Sequence, residues 1–228
     1  MNWAAISLTL KLAAVVSVIL LAGGLPIAYW LAHSRWRWKF LVEAVVALPL
    51  VLPPTVLGFY VLVALGPRSP LGRGWGSLFG STLPFTFEGL VIASVLYSLP
   101  FAVQPFAAAF SAVDPKLLQA SSVLGVGRAR TFFRVTLPLS GAGVITGFVL
   151  SFAHTLGEFG VVLMVGGNIP GVTRTVSIDI YDQVQALDYA AANRTALALL
   201  LFSFVVLSLI YGLNRKARFE WPMPGGRR

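Results

Sequence analysis

The sequence predicts an all-α membrane protein, a polytopic bundle of five transmembrane helices forming one permease-like domain over residues 1–228. Three observations predict it. Hydrophobic residues make up 57% of the 228 positions and charged residues 11%, against about 25% charged in ordinary soluble domains. The apolar residues gather into five stretches long enough for a helix to cross a hydrocarbon core of ~30 Å, which takes about 20 residues. The Lys and Arg residues fall between those stretches and favour one side, the pattern that sets membrane orientation.

The first stretch runs from about Ile6 to Ala32 and is uncharged from Leu12 onward. It has no basic segment before it and is too long for a signal-peptide core, so it is expected to stay as a span. The second runs from about Phe40 to Gly66, with Glu43 near its start, where an ordinary i,i+4 pair with Lys39 accounts for the charge. The third covers Gly89 to Ala112, the fourth Leu137 to about Val165, and the fifth Thr195 to Leu213. Between the last two lies an amphipathic segment, residues 166–194, expected outside the membrane. A sixth, shorter membrane-touching element stays open there. Its Asp179, Asp182 and Asp188 alternate with Ile180, Tyr181, Val184 and Leu187, a pattern that fits either docking of an external protein or capping of the bundle.

With five spans, one side of the membrane holds Arg35, Arg37, Lys39, Lys116, Arg128, Arg130, Arg134, Arg215, Lys216, Arg218, Arg227 and Arg228, and the other only Arg68, Arg73, Arg174 and Arg194. Twelve against four puts the N-terminus outside and the C-terminus in the cytoplasm. Pro26, Pro49, Pro53, Pro54, Pro100 and Pro105 fall inside spans. Each removes a backbone donor and bends its helix. Such breaks survive where protein or a water-filled path covers the freed carbonyls, which makes Pro53 and Pro54 candidate pathway residues.

The segment 114–136 is read as an ordered cytoplasmic hairpin that docks a partner protein. Asp114 followed by Pro115 reads as an N-cap and a first-turn proline. Leu117, Ala120, Ser121 and Leu124 fall on one helical face. Gly125 and Gly127 supply a turn where positive φ is tolerated, and a second short helix is expected over Arg128–Val135. Gln119-Ala120-Ser121, three residues, Gly125, nine residues, then Val135-Thr136-Leu137-Pro138 resembles the "EAA" loop of ABC importer permeases. That loop has Glu-Ala-Ala, three residues, Gly, nine residues and Ile-x-Leu-Pro. The changes are Gln for Glu, Ser for the second Ala and Val for Ile, and the first removes the charge the family carries there.

The resemblance covers nearly the whole chain and narrows to the molybdate-permease type. Leu48-Pro49-Leu50-Val51-Leu52-Pro53-Pro54-Thr55-Val56-Leu57-Gly58 is similar to that type's second span, and Thr155-Leu156-Gly157-Glu158-Phe159-Gly160 with Gly167–Thr175 to its segment after the coupling loop. Sulfate/thiosulfate and tungstate permeases carry closely similar stretches. The resemblance implies a type I importer permease of the inner membrane, a non-enzymatic homodimer carrying a tetrahedral oxyanion, most of all molybdate. It implies a cytoplasmic ABC ATPase and an extracytoplasmic oxyanion-binding protein as partners beside membrane lipid. It also implies that Gln119, Ala120, Ser121, Gly125, Val135, Leu137 and Pro138 couple the chain to the ATPase.

Glu158 falls toward the outer end of the fourth span, where a carboxylate costs up to about 2.5–3.5 kcal/mol. It is therefore a functional candidate, with Gly157 and Gly160 beside it allowing the helix to break and turn. A carboxylate repels a dianion, so a structural or gating role is expected for Glu158, the alternative being an interfacial side chain. His154 and Thr155 lie next to it, His154 read as a packing histidine.

Other function classes find no support. There is no cysteine, no His/Asp/Glu cluster with metal-ligand spacing and no nucleophile–base constellation. No phosphate-binding Gly-x-x-x-x-Gly-Lys-[Ser/Thr] motif appears, so no cofactor is expected and ATP hydrolysis belongs to a separate subunit. An ion-coupled secondary transporter would show internal repeats and buried ionisable pairs. The net charge of +9 lacks the aromatic interleaving of a nucleic-acid groove.

Overall fold

A computed structural model describes residues 2–219, and they form helices joined by short connections, with no strand among them. Arg227 and Arg228 of the basic tail lie outside the described residues. Three helices form the frame: α1 (Trp3–His33), α5 (Phe87–Ser111) and α9 (Gly141–Gly157). At 1.5 Å per residue, α1 spans about 46 Å. Its polar N-terminus is pinned at one end, Asn2 accepting from Ala5 N at 3.2 Å and donating to Asp179 Oδ1 at 2.9 Å.

The core between these helices is apolar and close-packed. Leu12, Val16, Leu20 and Ala28 of α1 meet Leu90, Ala102, Val103, Phe106 and Phe110 of α5, all fully or almost fully buried. Helices cannot be drawn together by hydrophobicity inside lipid, so small residues that let backbones approach carry the packing. Gly147 of α9 is such a place. A Cβ built there would lie 2.5 Å from the Phe106 ring and 2.9 Å from the Ala102 carbonyl oxygen. Gly143 faces Ala109 in the same way one turn earlier.

The expected second span is not one helix. It consists of α2 (Lys39–Val51) and α3 (Pro54–Leu65), bent by 116°. Pro53 and Pro54 supply no N–H, and the chain runs extended through Leu52 (ψ 136°) and Pro53 (ψ 137°), as the residue before a proline prefers. By contrast, Pro26, Pro49, Pro100 and Pro105 sit inside unbroken helices. Near the start of α2, Lys39 and Glu43 pair at 3.5 Å.

The fourth span is also segmented. It follows α6 (Pro115–Val123), α7 (Arg128–Thr131), a π-helical stretch Phe132–Thr136 and a short α8 (Leu137–Leu139). The run Arg128–Leu139 meets α9 at 76°. At its far end α9 stops at Gly157, and α10 (Gly160–Gly166) resumes beyond Glu158 and Phe159. The break expected beside Glu158 is therefore present. Counting each bent pair as one span, up to five segments are long and apolar enough to cross a membrane.

Two elements lie beside the spans. Helix α4 (Pro70–Phe79) was not foreseen in the sequence; Ser69 caps it by accepting from Gly72 N at 2.8 Å. Segment 166–194 holds α11 (Val176–Gln185), ten residues and hence too short to span. The Val176 amide donates to Thr9 Oγ1 of α1 at 2.9 Å. The last helix, α12 (Tyr189–Phe219), packs on α9 and α11.

The packing at Gly147 yields a direct test. Replacing Gly147 by Leu is expected to destabilise the detergent-solubilised protein by about 1–3 kcal/mol through overpacking against Phe106. Gly141→Ala, where nothing lies within 4 Å, is expected to leave the thermal midpoint unchanged. Equal midpoints for Gly147→Leu and the parent would refute the close approach of α5 and α9.

Candidate coupling loop and translocation cavity

The 114–136 segment folds as a helical hairpin. Asp114 Oδ1 accepts from Lys116 N at 2.8 Å with Pro115 in the first turn of α6. Gly125 has φ +70°, the left-handed region that closes a helix without a Cβ penalty. Gly127 differs from expectation: its φ of −63° and ψ of 152° make it an extended N-cap for α7, so only one positive-φ glycine forms the turn. The Gly125 amide donates to Ser122 O and the Val126 amide to Ser121 O, both at 3.0 Å. Ser121 Oγ and Thr131 Oγ1, both buried, meet at 2.7 Å and tie the two arms together.

One aromatic residue roots the hairpin in the frame. The Phe132 ring lies 5.0 Å from Tyr29 of α1 and 5.8 Å from Phe110 of α5, in the edge-to-face geometry aromatic pairs prefer. The opposite face is bare. Val123 is 87% exposed and Leu124 80%, with Leu117, Gln119, Ala120 and Phe133 also exposed. Contiguous apolar exposure on an ordered hairpin marks an interaction surface. Of the residues singled out from sequence, Gln119, Ala120 and Gly125 lie on this face, Ser121 holds it together, and Val135, Leu137 and Pro138 form the joint with the next helix.

The second site is a cavity of about 620 Å³ where the broken helices meet, walled by Pro54, Thr55, Tyr97, His154, Gly157, Glu158, Gly160 and apolar neighbours. The breaks in α2/α3 and α9/α10 face each other here. A Cβ on Gly160 would sit 2.7 Å from Pro54 Cβ, and one on Gly58 would sit 2.8 Å from Met164 and 3.2 Å from the Val161 backbone. Helices α3 and α10 thus lie backbone against backbone. Carbonyls at the far end of α10 find donors outside the helix: Val165 O accepts from Phe85 N at 2.9 Å, and Gly166 O from Thr173 Oγ1 at 2.7 Å.

Glu158 is 4% exposed. Ser94 of α5 is its polar neighbour, yet neither carboxyl oxygen nor Ser94 Oγ has a partner in hydrogen-bond geometry. A neighbouring network is fully committed. Thr155 Oγ1 donates to Ser151 O at 2.9 Å, so the 2.9 Å contact between Ser98 Oγ and Thr155 Oγ1 must be donated by Ser98. The 3.0 Å contact between Ser98 and His154 Nδ1 is then donated by the ring. A neutral His154 therefore carries its proton on Nδ1 and keeps Nε2 as an acceptor, a tautomer assigned from the network. The ring stacks on Phe101 at 3.8 Å and lies 4.7 Å from Tyr97, the packed and partnered histidine the sequence suggested.

The structure brings Pro54, Gly157, Glu158 and Gly160 to one cavity wall and sets Thr155 behind it; Pro53 is not on the wall. Sequence reasoning missed Thr55 and Tyr97. Thr55 follows directly on the proline pair, so the broken span was a usable signal. Tyr97 sits in an unremarkable apolar run, and nothing in the sequence sets it apart.

Residues 24–219 match the family described as binding-protein-dependent transport system inner membrane component. The molybdenum transport system permease protein ModB of Azotobacter vinelandii is 56% identical over 93% of this chain and 94% of its own length. The Escherichia coli K12 protein of the same name is 41% identical over 81% of this chain and 80% of its own. Among solved structures, a bacterial ABC transporter involved in import of the acidic polysaccharide alginate matches with TM-score 0.76 and 17% identity, covering 93% of this chain and 78% of that one. The MetNI methionine ABC transporter matches with TM-score 0.74 and 14% identity, covering 95% of both chains. The all-helical fold is thus that of ABC importer permeases, and the chain belongs to the binding-protein-dependent transport system inner membrane components, multi-pass subunits that transport rather than catalyse.

Proposed function

We propose that the chain forms the translocation pathway of an ATP-driven importer for a tetrahedral oxyanion, molybdate in particular. The observation that carries this reading is the 56% identity to a molybdenum permease across 93% of the chain, which extends through the spans as well as the hairpin. A homodimer supplies a pathway between two such bundles. An extracytoplasmic binding protein delivers the anion, a cytoplasmic ATPase docks on the exposed face around Val123, Leu124 and Gln119, and the N-terminus lies outside. Its ATP-bound closure shifts the populations of inward- and outward-open states.

The decisive experiment is uptake of labelled molybdate by vesicles carrying this chain, its ATPase and its binding protein. ATP-dependent uptake blocked by tungstate but not by excess sulfate is expected. Equal suppression by sulfate would move the assignment to the sulfate branch. Uptake that ignores ATP would remove the ABC reading in favour of an ion-coupled transporter.

Two further outcomes follow from the hairpin and the charge asymmetry. Gly125→Asp forces a side chain into the left-handed region, at about 1–2 kcal/mol, and adds a charge to the docking face. It is expected to lower uptake at least about tenfold while membrane insertion, read by fractionation, is unchanged; full uptake would count against coupling through this loop. A reporter fused to the N-terminus is expected to report from the extracytoplasmic side, and a cytoplasmic signal would overturn the five-span topology.

A further inference from the structure

The cavity between the broken helices carries an inference that rests on the oxyanion reading. Its dimensions suit a small ligand, since ligand pockets span about 300–1,000 Å³. Its polar wall comprises the hydroxyls of Thr55 and Tyr97, the His154 ring and the Glu158 carboxyl. It holds no Lys or Arg. The N-terminus of α3, with no side-chain cap on its first turn, adds the positive end of a helix dipole. Neutral His154 offers the cavity only an acceptor, because its N–H is taken by Ser98. Donors for an anion are therefore the two hydroxyls, the first-turn amides of α3 and whatever proton Glu158 carries.

A dianion beside an ionised carboxyl is repelled, just as two carboxylates in one site cannot both ionise. One proton between them turns the contact into a charge-assisted O–H···O⁻ hydrogen bond, among the strongest available. Glu158 is more than nine-tenths buried, and neither of its oxygens is engaged, so it is free to make that bond. We propose that this cavity is a transient binding site for the tetrahedral oxyanion, in which Glu158 recognises the anion by sharing one proton with it. No covalent bond changes. The proton lies between a Glu158 oxygen and an oxyanion oxygen while the cavity is filled, and remains on Glu158 when the anion leaves. The carboxyl then acts as a donor that selects a hydrogen-bond-accepting anion over a cation or an apolar solute.

The titratable groups on the wall are Glu158, between α9 and α10, Tyr97 on α5 and His154 on α9; α3 contributes none. The test compares the assembled transporter with its Glu158→Gln variant. The amide donates a similar hydrogen bond at every pH. Labelled molybdate uptake is measured for both from mildly acidic to alkaline pH. Titration of His154, Tyr97, the ATPase and the binding protein is common to both and cancels in the ratio. The expected result is near-equal uptake at acidic pH and a wild-type to variant ratio that falls at least about tenfold toward alkaline pH. A constant ratio with robust wild-type uptake would overturn the proton-sharing site and leave the oxyanion function standing. Failure of the wild type to take up molybdate at any pH would overturn both. Should the variant not assemble, proton uptake decides: adding molybdate to the purified permease–ATPase complex in weakly buffered alkaline medium is expected to raise the pH. No rise refutes the site.

Discussion

The dominant constraint is that a backbone cannot be left bare in lipid. Each unsatisfied N–H or C=O there costs several kcal/mol, yet this chain interrupts two of its spans at the same depth, at Leu52–Pro53 and at Glu158–Phe159. The breaks are tolerable because they cover one another. Gly58 and Gly160 let α3 and α10 come together over Val161, Met164 and Pro54. Phe85 and Thr173 then complete the far end of α10 with their own donors. Irregular backbone at this depth is thus confined to a protein-lined cavity, and the cavity is the place where the bundle has something to offer a passing solute.

The rest of the frame is built to be stiff. Phe106 and Phe110 are fully buried between α1 and α9, and small residues set the distance between α5 and α9. The outer end is pinned by Asn2 to Asp179 and by Val176 to Thr9, with Asn168 and Arg174 both engaging Asp182. Helix α12 is different. It presents Leu197, Leu200, Leu201 and Phe204 outward, as befits a helix on the lipid side of the bundle.

The spans and the hairpin were legible because their signals are local. Run length, apolar composition and loop charge define a membrane helix, and Asp114-Pro115 with Gly125 defines a capped turn; the structure has α6 and the left-handed Gly125 where these residues put them. Helix breaks were half legible. Three prolines within six residues announced irregularity in the second span, but not that Pro53–Pro54 would end a helix while Pro49, Pro100 and Pro105 would not. That difference lies in neighbours that re-satisfy the backbone, which no local pattern encodes. Gly125 and Gly127 were indistinguishable in sequence, yet only one adopts positive φ. Helix α4 escaped notice because Gly72, Gly74 and Gly76 are poor helix formers. The Ser69 cap and Pro70 start it regardless, and Gly72 is small enough to lie against the Gly66 carbonyl.

The arrangement of the fourth span connects the two sites mechanically. Helix α9 starts at Gly141, immediately after the hairpin and its joint at Val135–Pro138, and ends at Gly157, next to Glu158. Packed interiors move as rigid bodies rather than deform continuously. A push on Val123 and Leu124 is resisted within the hairpin by the Ser121–Thr131 contact and reaches α1 and α5 through Phe132. It reaches α9 through a π-helical stretch and a 76° joint, features that often mark hinges. Rotation about that joint would be felt 17 residues away, where Gly160 rests on Pro54. The same contact that covers the broken backbone is then the one that must slide when the cavity opens, which explains why it is built from glycine and proline rather than from interlocking side chains.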